Sequence, residues 1–117
     1  MELQEIFDKV TTHLLTQNKK AKEGIRCKYR NSEGLMCAAG CLIPNDVYEV
    51  DMEGKSISSV IREYGVLAEM FSTREKVILL GNLQHIHDDV DVEAWPRKLR
   101  ELAVNEGLKT YKLPEEN

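Results

Sequence analysis

Aromatic side chains are scarce in this 117-residue chain, at 6% with a single tryptophan, so the core must be built from aliphatic residues around a few rings. No apolar run approaches the roughly 18 residues of a bilayer-crossing helix, so the sequence carries no helical membrane anchor and no membrane partner is expected. Basic residues are in the minority. Sixteen lysines and arginines against twenty aspartates and glutamates give a net charge of −4. That balance argues against extended nucleic acid as a partner, which calls for a basic face. Cysteine is limited to three, an odd number that makes no disulfide framework. The opening Met1-Glu2-Leu3-Gln4-Glu5 is acidic where a secretory leader is basic, and no apolar stretch follows it. Reduced thiols in the cytoplasm are the expectation.

What is present is helical periodicity. Leu3, Ile6, Phe7, Val10 and Leu14 mark an amphipathic helix over 2–18. Ser56 is a good N-cap for a short stripe of Ile57, Val60, Ile61 and Tyr64, which Gly65 interrupts. Ser72-Thr73-Arg74-Glu75 reads as a capping box, opening a helix to about Asp88 with Val77, Leu80, Leu83, Ile86 and Val90 inward and Leu79 and His87 at the flanks. A last helix over 93–106 holds Pro96 in its first turn, buries Trp95, Leu99, Leu102 and Ala103, and stops at Gly107. Between the first two helices, Ile25, Cys27 and Tyr29 alternate with Arg26, Lys28 and Arg30, the period of a half-buried strand. Asn31-Ser32-Glu33-Gly34 is a hairpin loop, with the return strand from Leu35 to about Cys37. The expected fold is a mostly helical α+β single domain over 1–117. A small β-hairpin at about 25–37 packs on three or four helices, and 108–117 form a tail in which Leu108 and Tyr111 are the docking candidates.

The segment Leu35 to Pro44 gathers Cys37 and Cys41 with Ala38, Ala39 and Gly40 in an almost uncharged run. Such density of thiols and small residues signals either close backbone packing or a metal. The metal set would be Cys27, Cys37, Cys41 and His87 or His85, four thiolate or imidazole ligands as zinc prefers. The gaps lack a C-x-x-C knuckle, so the reading adopted is structural, with no cofactor. Cys37, Gly40, Cys41, Pro44, His87 and Trp95 are then packing residues, and Cys41 is expected to be buried. A thiol nucleophile at Cys37 or Cys41 with His87 and Asp88 is the enzymatic alternative. It is weakened because adjacent helical residues project about 100° apart. For the same reason His85 is placed on the solvent side with Asp88 and Asp89, and His87 toward the core. An acidic helix end opposes the macrodipole, so a cation, Arg97 or a basic residue of the hairpin, is expected near Asp88 and Asp89.

Cys37-Ala38-Ala39-Gly40-Cys41-Leu42-Ile43-Pro44, then Met52-Glu53-Gly54, then Leu83-Gln84-His85-Ile86-His87-Asp88 together resemble a family of small bacteriophage and bacterial proteins. Cys27-Lys28-Tyr29-Arg30 and Trp95 fit the same pattern, and the resemblance spans about residues 2–108. It implies a setting, a phage accessory protein made in the bacterial cytoplasm, rather than an activity.

The functional expectation is a non-enzymatic binding protein acting on a host protein partner, a host-defence component among the candidates. Asp88, Asp89, Asp91 and Glu93 are the acidic surface that would meet it. The alternative is a nucleotide or small-phospholigand binder using Arg26, Lys28, Tyr29 and Arg30 on one strand face. A zinc-dependent or thiol-dependent enzyme stands third.

Overall fold

The computed structural model describes residues 1–115. It is a mostly helical α+β fold. Helix α1 covers Leu3–Gln17, with Ile6, Phe7, Val10 and Leu14 fully buried, and ends where Asn18 turns left-handed at φ 53°. Helices α2 (Ile57–Glu63) and α3 (Gly65–Met70) follow a long irregular stretch; α4 covers Arg74–Asp89 and α5 Trp95–Glu106. Helix α4 packs on α1, α2 and α5, and α5 also reaches α1. No helix among the described residues is long and apolar enough to cross a membrane.

The sequence periods place α1, α4 and α5 within a residue or two, and Ser56 caps α2 as expected, its Oγ accepting the Ser59 N–H. Three details differ. The cap of α4 is Thr73, not Ser72; its side chain accepts the Lys76 N–H. The break after α2 falls at Tyr64, and Gly65 starts a new helix instead of merely interrupting one. The inner face of α4 is Leu79, Leu80, Leu83, Ile86 and His87, while Val77 and Val90 are only half-buried.

The hairpin also differs in register. Its strands are β1 (Lys22–Glu23) and β2 (Arg26–Cys27), antiparallel, with Lys22 opposite Cys27 and Glu23 opposite Arg26. Residues 26–27 pair backward, so the turn falls at Gly24-Ile25, where glycine supplies φ 62°. Ile25 therefore sits at the tip, 94% exposed, and not on the inner side with Tyr29. The expected loop at 31–34 exists, but as a single bridge: Arg30 pairs with Met36, and Asn31 N–H donates to the Leu35 carbonyl.

The cysteine segment lies where backbone meets backbone. A β-carbon on Gly40 would overlap the Tyr29 carbonyl oxygen. Only glycine admits that approach. Gln17 at the end of α1 holds the segment's entry, its amide taking the Met36 N–H and giving to the Met36 carbonyl, each at 2.9 Å. From the other side, the Gln84 side chain of α4 accepts the Ala39 N–H at 2.9 Å. After α5, Leu113 docks into the core, Leu108 is half-buried and Tyr111 is 71% exposed, so the tail anchors through a residue other than the tyrosine expected. Positions 116 and 117 of the expected tail lie outside the described residues.

Candidate functional site

Among the described residues, one group of potential metal-ligating or catalytic side chains converges: Cys27, His87 and Asp88, whose ligand atoms lie within 4.8 Å of one another. They meet because Gln84, His87 and Asp88 stand at i, i+3 and i+4 on α4, one helix face, and β2 lays Cys27 against it. His87 is fully buried and stacks on Trp95, ring centroids 5.7 Å apart at 29°. The Trp95 indole N–H donates to the Val90 carbonyl, which fixes the ring that backs the histidine.

Both nitrogens of His87 are occupied. Nε2 accepts the Ala21 backbone N–H at 3.0 Å, so it carries no proton. Nδ1 then bears the proton and donates to Asp88 Oδ1 at 2.7 Å. The same carboxylate oxygen accepts from Gln84 Nε2 at 3.0 Å. The contact between His87 and Asp88 corrects the expectation that these neighbours diverge. Their Cα–Cβ bonds leave the helix about 100° apart, but both side chains flank Gln84 and reach each other, Nδ1 to Oδ1 at 2.7 Å. Asp88 is consequently half-buried, its side chain still 31% accessible, while His85 and Asp89 are exposed and paired at 2.7 Å. The expected cation is absent from the carboxylate among the described residues: Lys20 donates instead to the Asp88 backbone carbonyl, and Arg97 pairs with Glu101.

The thiol of this group is not activated. Burial, then the negative charge of Asp88 and hydrogen bonding to it, push the Cys27 thiol up from its ordinary value. A nucleophilic cysteine needs the opposite, an electropositive surrounding that favours thiolate. Cys37 and Cys41 are further from chemistry still, both pushed up to about 12, first by burial. Cys37 is wholly buried; Cys41 is half-buried rather than buried as expected.

A metal does not suit the donor set. Of the four candidate ligands, only Cys27 and His87 belong to the cluster. An ion on Nδ1 would require a proton on Nε2 and an acceptor facing it, because a ligating histidine gives its other N–H away. Here Nε2 faces a donor, the Ala21 N–H.

The strand-face residues separate as well. Arg26 is exposed at the hairpin, and Lys28 is half-buried on a cleft of about 290 Å³ floored by Cys27, Gln84 and Asp88. Tyr29 is buried, and its hydroxyl donates to the Lys55 carbonyl at 2.5 Å. Arg30 gives a 2.6 Å hydrogen bond to the Ile43 carbonyl and lies over the Tyr48 ring at 4.7 Å. These four do not converge on one anion.

Sequence reading missed the residue that fixes the last two of them, Glu53. Its two oxygens accept the consecutive N–H groups of Tyr29 and Arg30 at 2.9 and 3.1 Å, and Oε2 also accepts the Tyr48 hydroxyl at 2.6 Å. Burial and that bond to Glu53 push the Tyr48 hydroxyl up to about 12. No spacing in the sequence signals Glu53, whose backbone partners lie 24 and 23 residues away. Gln84 was readable, from its i, i+3, i+4 spacing to His87 and Asp88.

Of the acidic set, Asp89, Asp91 and Glu93 are exposed and Asp88 is half-buried. Pro44 is half-buried at the end of the cysteine segment. A second, larger groove of about 640 Å³ runs along α1, between Thr12 and His13 on one side and Cys41 and Leu42 on the other.

No protein-family model, curated protein or solved structure matches the chain.

Proposed function

We propose that this chain is a non-enzymatic binding protein that acts by docking on a protein partner. The observation that carries the reading is the closed state of its polar cluster. Cys27, His87 and Asp88 are linked to each other, to Gln84 and to the backbone of Ala21, which leaves neither imidazole nitrogen free and a thiol held in its protonated form. A cluster so arranged fastens the hairpin to α4. The dispersal of Arg26, Lys28, Tyr29 and Arg30 counts against the phospholigand alternative in the same way. The setting we propose is a phage or bacterial accessory protein working in the bacterial cytoplasm on a host protein.

The test is a photo-crosslinking scan of the full chain in bacterial cells, with a benzophenone amino acid placed in turn at Thr12, Ile25, Glu93 and Val104. The reading expects a covalent adduct with one protein, which when purified binds the unmodified chain saturably and binds Cys27→Ser equally well. No protein adduct from any position, or binding that vanishes in Cys27→Ser while the variant melts normally, would refute it.

A further inference from the structure

Resting on that reading, we infer that the tip of the hairpin, residues 22–26, is the docking element, and that Ile25 plugs an apolar pocket on the partner whose rim is acidic; Cys27, behind the tip against α4, is not part of it. Ile25 is the most exposed large apolar side chain among the described residues, at 94%. A single exposed apolar residue is ordinary in itself. What sets this one apart is that it is held on a tight two-residue turn whose legs are both fastened. The Ala21 N–H, at the foot of β1, binds His87, and the Ala21 carbonyl accepts the Lys28 N–H at 2.8 Å just beyond β2. The Lys22 carbonyl accepts the Asn31 side chain at 3.0 Å. The tip is therefore preorganised, and docking it orders little new chain.

Charge identifies the occupant. Lys22 and Arg26, opposite sides of the tip, are exposed, and neither has an ion pair among the described residues. The one acid of the hairpin, Glu23, is exposed too and lies opposite Arg26, but its carboxylate is taken up by the Ser32 N–H. The tip therefore presents an isoleucine flanked by two cations that have no ion pair among the described residues. Complementary potentials steer and align interfaces, so the matching surface carries aspartate or glutamate around an apolar hollow. Nucleic acid is disfavoured by the net charge of −4. A bilayer is disfavoured because even a full acyl chain anchors only marginally, and one isoleucine buries far less.

The experiment follows the scan above. The position-25 adduct is digested, its crosslinked peptide sequenced, and the purified partner titrated with the full chain and its variants. The expected peptide is apolar with flanking acids. Ile25→Ser weakens binding about tenfold or more without changing the melting temperature, as loss of a central apolar anchor does. Lys22→Glu with Arg26→Glu weakens it further at low salt than at high salt. Adducts from Glu93 or Val104 but not from position 25 would overturn the hairpin assignment and leave the protein-partner reading standing. Adducts from no position would overturn both. Unchanged affinity of Ile25→Ser would overturn the plug. Crosslinking of position 25 to nucleic acid, or binding to phosphatidylglycerol vesicles that Ile25→Ser abolishes, would overturn the choice of occupant.

Discussion

His87 and Ala21, sixty-six positions apart, share a hydrogen bond in which a buried imidazole nitrogen accepts a backbone N–H at 3.0 Å. Few single contacts in the chain hold so much, because the amide stands at the foot of the hairpin and the ring is the last buried side chain of α4. His87→Ala removes the acceptor and leaves a cavity beside Trp95. Orphaning a buried N–H costs about 1–3 kcal/mol and the cavity adds to it. Urea denaturation should show that loss, and amide exchange at Ala21 should accelerate. His87→Gln, whose side-chain oxygen can stand near the Nε2 position, should recover part of both. Equal loss in the two variants would mean that packing and not the bond matters.

Gly40→Ala should be among the most damaging small substitutions. The added methyl meets the Tyr29 carbonyl, which is main chain and has no rotamer to give. Overpacking costs about 1–3 kcal/mol where side chains can adjust, and the loss here should sit at or above the top of that range. Gly81→Ala is the control, since it lies within α4 with open space around it. It should be neutral or stabilising by up to about 1 kcal/mol. Thermal melts of the two variants decide the matter.

Thiol reactivity gives a pH test with a definite sign. Asp88 helps hold the Cys27 thiol protonated, so its alkylation by iodoacetamide should accelerate only above the usual thiol range. Asp88→Asn should move that profile to lower pH. A profile unmoved by the substitution would remove Asp88 as a cause.

Alkaline stability follows from the same chemistry. Cys37 and Cys41 are raised to about 12 in the folded chain, from an ordinary value near 9. The folded state therefore binds these protons more tightly than the unfolded one. The stability so contributed is complete below about pH 9 and is lost as pH rises toward 12. Urea midpoints should fall across that window. Replacing Cys37 and Cys41 by alanine should lower stability at neutral pH but flatten the alkaline decline.

Glu53→Ala should destabilise by about 2 kcal/mol, because hydrogen bonds to a charged group are the stronger class and two backbone donors lose theirs together. By contrast, reversing Asp89, Asp91 or Glu93 to lysine should change stability by no more than about 0.5 kcal/mol, as exposed sites do. Asp88→Lys should behave like Glu53→Ala and not like its acidic neighbours. Chemical denaturation of these five variants separates the inward carboxylates from the outward ones.

The helices were legible because their packing has a period. Phe7 and Val10, or Leu99 and Leu102, repeat at helical spacing whatever lies opposite. Capping was legible only to the nearest hydroxyl, so Ser72 and Thr73 could be exchanged. The hairpin register was not legible. Alternation from Ile25 to Arg30 fits a strand pairing in either direction, and the deciding contacts come from His87 and Asn31. Glu53 and Gln17 were missed for a related reason. Each acts on a backbone N–H nineteen or more residues away, and such bonds leave no spacing in the sequence. The contact between His87 and Asp88 was not legible because treating helix neighbours as fixed vectors neglects the reach of their side chains.

The fastening of the hairpin also sets when it can form. Strands of two residues have no stability of their own. Their anchor is the last turn of α4, braced by the first residue of α5, so a contact of very long sequence separation must close before the tip has a shape. During synthesis the residues of the tip emerge early and wait, without geometry, for a tryptophan seventy positions after Ile25. An incomplete chain carries Ile25 but does not present it, and competence to dock arrives only with the finished fold.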